Sequence, residues 1–201
     1  DWNNAYSNKN TPLGKRFSDE YIRSFHFSKE KDKGKTSINF IGDTLQNKFS
    51  WERITNHPDL IQIRLNKTLF PNQSVVILMD YEVKIPNERF TGYGFDDKGE
   101  VCLKNWWITP TRFENQQFIK YSNLNLDDIA NSSCNYYIDC KVPKSFSIKT
   151  DLNEVALQNE NDINLYSFEG ENRIDFNLYF TKTKDFISYK NDNLEVVTNL
   201  K

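Results

Sequence analysis

The sequence predicts an all-β fold: an antiparallel β-sandwich or saddle of about ten strands, with one N-terminal surface helix. Three observations predict it. Past Thr36 apolar residues recur at every second position, clusters of Asn, Asp, Gly and Pro separate the apolar runs, and helical spacing is confined to the first 35 residues. The expected organisation is a single β domain over 1–201, with a loop and helix arm over 1–35 and strands over 36–201.

The arm comes first. Ser18 reads as an N-cap, Asp19 and Glu20 suit the positive end of the helix dipole, and Lys29, Lys31, Lys33 and Gly34 read as its close. Phe17 and Ile22 sit where a hydrophobic staple belongs. The stripe Tyr21, Ile22 and Phe25 is narrow, which places the helix on a surface, with His26 half-exposed beside it. The strands follow. Val75, Ile77, Met79, Tyr81, Val83 and Ile85 form one apolar face, while the other runs Val76, Leu78, then Asp80, Glu82 and Lys84. That strand is expected to start buried on both faces and end half solvated. Tyr136, Ile138, Cys140 and Val142 alternate with polar neighbours, as do Ile174, Phe176, Leu178 and Phe180. Further strands are predicted over 38–41, 60–65, 101–108, 146–152, 154–157, 163–168, 186–189 and 194–198.

Turn chemistry falls between them, at Asn56-His57-Pro58-Asp59, Pro71-Asn72-Gln73, Asp96-Asp97-Lys98-Gly99, Asn159 to Asp162, Glu169 to Asn172 and Asn191 to Asn193. These are hairpin connections, and His57 reads as a turn residue. Asp96 and Asp97, with Glu100, also have the oxygen chemistry of a hard-cation site, but turn is the stronger reading.

Composition narrows the function. A chain of 201 residues buries about 70% of its unfolded surface and needs no staple. The formal net charge is -2, which argues against a nucleic-acid partner, since such partners meet a basic face. The longest apolar run, Val75 to Met79, is far short of the roughly 20 residues of a membrane span. Three cysteines, Cys102, Cys134 and Cys140, and two histidines form no zinc-ligand spacing, and the familiar hydrolase and phosphate-loop signatures do not occur. Cys134 and Cys140 on one strand would lie about 20 Å apart, against the roughly 6 Å of a disulfide, so only Cys102 could pair with one of them. All three read as small buried hydrophobes. No catalytic residue and no cofactor are expected in this chain.

Four phrases carry a family resemblance: Tyr81-Glu82-Val83-Lys84-Ile85-Pro86, Phe90-Thr91-Gly92-Tyr93-Gly94-Phe95, Trp106-Trp107-Ile108-Thr109-Pro110 and the stretch Tyr121 to Asp128. They resemble the N-terminal β (saddle) domain of the zinc aminopeptidases, the aminopeptidase N and leukotriene A hydrolase family, in its bacterial branch. The resemblance implies a non-catalytic domain that packs on the catalytic domain of the same polypeptide and lines the peptide substrate's cleft. It also implies zinc in that neighbouring domain and a fragment of a longer metallopeptidase completed upstream of Asp1; it leans toward a bacterial envelope or extracytoplasmic location, while the odd number of cysteines suits the cytosol, so the compartment stays open. The family anchors the substrate amine with a Gln followed two residues on by Glu. Here Thr109-Pro110-Thr111-Arg112-Phe113-Glu114 occupies that place without a Gln, so no amine-binding residue is carried over.

The substrate-facing candidates are therefore Arg112, Glu114, Trp106 and Asp127. Arg112 and Glu114 lie nearest the expected anchor. Trp106 and Trp107 are adjacent, so on a strand one points inward and the other toward solvent or a partner. Asp127 and Asp128 suit a short helical turn, as a cap or facing the cleft. The alternative function is a secreted β-sandwich binding module presenting Tyr93, Trp106 and Tyr137 to carbohydrate or protein.

Overall fold

The computed structural model describes residues 10–22, 24, 26–55, 57–119, 131–182, 186–192 and 194–198. Its helix, α1 (Pro12–Asp19), forms earlier in the chain than the Ser18 signal suggests. The Thr11 hydroxyl accepts the Gly14 N–H at 3.1 Å, and Pro12 opens the first turn, where its missing N–H is no loss. Tyr21 then takes a left-handed φ of 61°, which ends the helix. The predicted helix from Ser18 to Gly34 is thus corrected: Ser18 lies in the last turn of α1, and among the described residues only a 3-10 turn, Glu30–Asp32, follows before the chain extends. Phe17 is buried as expected, whereas Tyr21 and Ile22 are exposed.

Among the described residues fifteen strands follow in chain order. They are β1 (Lys35–Gly42), β2 (Ser50–Ile54), β3 (His57–Arg64), β4 (Leu78–Lys84), β5 (Gly94–Phe95), β6 (Val101–Leu103), β7 (Phe113–Glu114) and β8 (Gln117–Phe118). Then come β9 (Cys134–Pro143), β10 (Ser147–Thr150), β11 (Asn153–Glu160), β12 (Ile163–Arg173), β13 (Leu178–Thr181), β14 (Ile187–Lys190) and β15 (Glu195–Thr198). All pairings are antiparallel, so the predicted all-β class is the one observed. The strands sort into two compact units, each drawn from two stretches of chain: Asp1–Thr91 with Thr109–Ala130, and Gly92–Ile108 with Asn131–Lys201.

In the first unit β1 pairs with β4, setting Ile38 opposite Tyr81 and Ile41 opposite Met79. Ile41 and Phe49 are both buried, and the Phe49 N–H donates to Ile41 O at 2.9 Å. Gly42 is required at the strand end, because a Cβ there would sit 2.5 Å from Asn47 O. A clasp joins distant stretches: Arg89 donates to the largely buried Asp32 carboxylate at 2.6 Å, and the Asn87 N–H donates to Asp32 O at 3.0 Å. β2 and β3 form a hairpin in which His57 faces Ile54, so His57 is a strand residue rather than the turn residue predicted. The apolar start predicted for β4 is also corrected. The strand begins at Leu78, and Val75, Val76 and Ile77 lie before it, exposed. β7 and β8 make a two-residue hairpin around Asn115 and Gln116, both left-handed as such a turn requires.

In the second unit one sheet runs β10-β13-β6-β5 and another β11-β12-β9, beside the hairpin β14-β15. Asp96 builds the predicted turn between β5 and β6, its Oδ1 accepting from the N–H groups of Lys98 at 2.9 Å and Glu100 at 2.7 Å. Asn161 at φ 33° turns β11 into β12. The turn predicted over 169–172 is instead an irregularity inside β12, which runs through to Arg173 with a register shift after Gly170. Thr181, expected on the polar face, is fully buried, because its hydroxyl donates to Glu100 Oε1 at 2.7 Å. Tyr179 donates to the other oxygen of Glu100. Tyr136, Tyr166, Phe168, Phe176 and Leu178 are among the buried core residues.

Candidate functional site

Polar atoms and aromatic rings meet in the second unit, where the chain leaves β6 and where it enters β13. Asn105 adopts a left-handed φ of 54°, so the strand predicted over 101–108 stops at Leu103 and the chain bends. The two indoles therefore do not take opposite faces. Both pack on Phe176, Trp107 at 4.7 Å and Trp106 at 6.4 Å between ring centroids, and Tyr136 closes on Trp107 at 4.5 Å and on Phe176 at 5.1 Å. Edge-to-face geometry of this kind is how aromatic cores gain beyond simple burial.

Asp175 sits among these rings. Trp107 Nε1 donates to its Oδ1 at 3.2 Å, while Oδ2 and Trp106 Nε1 are buried without a hydrogen-bond partner. Burial pushes the Asp175 carboxyl above the usual carboxylate range, against the pull of the Phe176 N–H, the Trp107 N–H and the Lys104 charge. The Tyr136 hydroxyl donates to Ile174 O at 3.1 Å, and burial, with the Cys134 thiol beside it, pushes the phenol far above its ordinary range. The arrangement can hold a proton at Asp175 at pH values where an exposed carboxyl has lost it. In the sequence Asp175 is one of the polar neighbours between Ile174 and Phe176, and an acidic residue flanked by two apolar ones is the signal available.

The predicted site residues fall in different places. Arg112 and Glu114 belong to the first unit and pair with each other at 3.1 Å, both partly exposed, at the mouth of the β7-β8 hairpin. The Ile119 N–H donates to Arg112 O at 2.9 Å, and Arg112 Nε is buried without a partner. Trp106 belongs to the second unit and is half-buried against Phe176. Asp127, with Asp128 and the whole stretch Tyr121 to Asp128, lies outside the described residues. Cys102, Cys134 and Cys140 form no disulfide with one another. Cys134 is exposed rather than buried as predicted, and burial, with the Asp139 charge adding, raises the Cys140 thiol.

Among the described residues no group of three or more His, Cys, Asp or Glu side chains could hold a metal ion, and the oxygens of Asp96 and Glu100 are engaged in the turn and the hydroxyl contacts above. No helix among them is long and apolar enough to cross a membrane. No protein-family model, no curated protein and no solved structure matches this chain.

Proposed function

We propose that this chain is a non-catalytic β domain of a zinc aminopeptidase-like protein, packing on the catalytic domain of the same polypeptide and lining one side of its peptide cleft. The observation that carries the reading is a pair of exposed apolar runs in the first unit, Leu69-Phe70 and Val75 to Ile77, on either side of the Pro71-Asn72-Gln73 turn, where Phe70 is 61% and Val76 60% exposed. Exposed apolar side chains close together in the chain suit a surface that another domain covers. The strand phrases around β4, β5 and Trp106-Trp107 support this particular family. In this reading zinc and the general base belong to the catalytic domain, and this chain contributes wall and docking surface.

The test is the coding sequence beyond Lys201. A Gly-x-Met-Glu-Asn phrase followed by His-Glu-x-x-His is expected, since a helix bearing that motif supplies two zinc ligands and the base. A gene that ends without it removes the reading, as does cleavage of aminoacyl substrates by the isolated 201-residue chain. In the full-length protein, Arg112→Ala and Glu114→Ala are expected to change peptide turnover with little effect on stability, because an exposed pair contributes less than about 1 kcal/mol. Unchanged kinetics takes both off the substrate side.

One observation favours the second reading, a binding module for carbohydrate or protein: Tyr137 projects from β9 with 74% of its surface exposed. Of the other aromatics in that reading, Trp106 packs on Phe176 and Tyr93 lies under Lys104 Nζ at 5.4 Å. Retention on a glycan array that Tyr137→Ala abolishes would establish it.

A further inference from the structure

β9 is the terminal strand of the sheet β11-β12-β9, and among the described residues no other strand pairs with its outer edge. A long edge of this kind is a template for another strand, and proteins blunt such edges with bulges or charges. The opposite edge of the sheet is blunted: β11 carries a register shift between Glu154 and Ala156. β9 from Tyr136 to Pro143 pairs with β12 residue by residue without a shift, so its outer edge is regular. Its exposed face carries Tyr137, Asp139 and Lys141, and its inner face Ile138, Cys140 and Val142.

The charges on this edge are self-complementary in one register. A second β9 laid antiparallel about a two-fold axis through Cys140 sets Asp139 opposite Lys141 of the copy, and Lys141 opposite its Asp139. The same register sets Ile138 against Val142 on the inner side, twice. Moving the axis by one residue either way sets Asp139 against Asp139 or Lys141 against Lys141, and like charges directly opposite are destabilising. A two-fold normal to the sheet also keeps both apolar faces on one side, as an isologous contact demands. We propose that two copies of this chain associate edge to edge through β9, joining their three-stranded sheets into one six-stranded sheet centred on Cys140.

The experiment is sedimentation velocity on the full 201-residue chain over a wide dilution series, with charge reversals at the edge. Wild type is expected to reach the mass of two chains, Asp139→Lys and Lys141→Asp each to remain at one, and the double reversal to return to two. Asp139 accepts a bond from Ser167 Oγ at 2.7 Å, so Lys141→Asp is the variant that leaves the strand's own contacts alone. Hydrogen exchange gives a second reading: the outer-edge amides of β9 are expected to slow as concentration rises. Wild type that stays at one chain at every concentration overturns the proposal. So does a dimer that survives both single reversals, or a double reversal that fails to restore it.

Discussion

Truncating Phe176 tests whether the ring cluster is the structural centre of the second unit. Phe176 is 1% exposed, with Trp107 at 4.7 Å and Trp106 at 6.4 Å edge-on to its ring and Tyr136 tilted against it at 5.1 Å, all within the range in which aromatic pairs gain. Replacing a buried Phe by Ala costs about 3–5 kcal/mol through lost transfer and the cavity left behind, and three aromatic neighbours place this site in the upper part of that range. Phe176→Leu keeps most of the volume but forfeits the two close ring pairs, each worth about 0.5–1.5 kcal/mol, so about 1–3 kcal/mol is expected. Against a total of about 5–15 kcal/mol for a domain, the Ala variant removes a large share of the stability. The assay is urea unfolding followed by tryptophan fluorescence, with near-ultraviolet circular dichroism reporting the packing of both indoles. An Ala variant that loses less than about 1 kcal/mol and keeps its near-ultraviolet spectrum refutes the reasoning, because a residue this enclosed cannot be removed so cheaply.

Three other outcomes follow from local geometry. Asp175 has its carboxyl raised by burial, so the folded state favours the protonated form; its contribution is present in full below the unfolded carboxyl value and is lost as pH rises through the folded one. The stability of wild type minus that of Asp175→Asn should therefore fall as pH climbs from about 4, and a flat or rising difference in urea titrations would contradict this. Gly42→Ala forces a Cβ toward Asn47 O and is expected to cost about 1–3 kcal/mol, read as a lower urea midpoint with unchanged slope. Arg89→Ala leaves the largely buried Asp32 carboxylate without its partner and should cost about 1–3 kcal/mol, with Arg89→Lys recovering part; equal thermal midpoints for all three proteins would show the clasp to be idle.

Where alternation ran uninterrupted the strands were legible. Tyr136 to Val142 and Met79 to Val83 lie on the strands their period of two demanded, and Asn191 with Asp192 and Asn159 to Asp162 mark hairpin turns. Failures cluster where one residue's backbone angle overrides the pattern. Asn105 breaks the run that would have sent Trp106 and Trp107 to opposite faces, and Tyr21 stops a helix whose later lysines look like a helix end. The helix itself was signalled by Thr11-Pro12, a cap and first-turn pair as strong as Ser18 and closer to the start. Gly170 read as a turn glycine, yet a Cβ there would meet Leu152 Cδ2 at 2.5 Å, so it serves close packing within a strand. For the candidate site, Arg112 and Glu114 stand two residues apart and are easily seen, whereas the Asp175 cluster joins residues 106–107, 136 and 175–176, which no local spacing connects.

Each unit takes its residues from two separate stretches, and β6 finds its partner β13 only far downstream, with Val101 opposite Phe180. During synthesis the β5-β6 segment must therefore wait, unpaired along that side, until the ribosome has delivered most of the remaining chain. No single cut in the polypeptide can release either unit whole: a protease that opens the connection near Thr91 severs β5 and β6 from the amino-terminal half but leaves residues 109–119 attached to the wrong fragment.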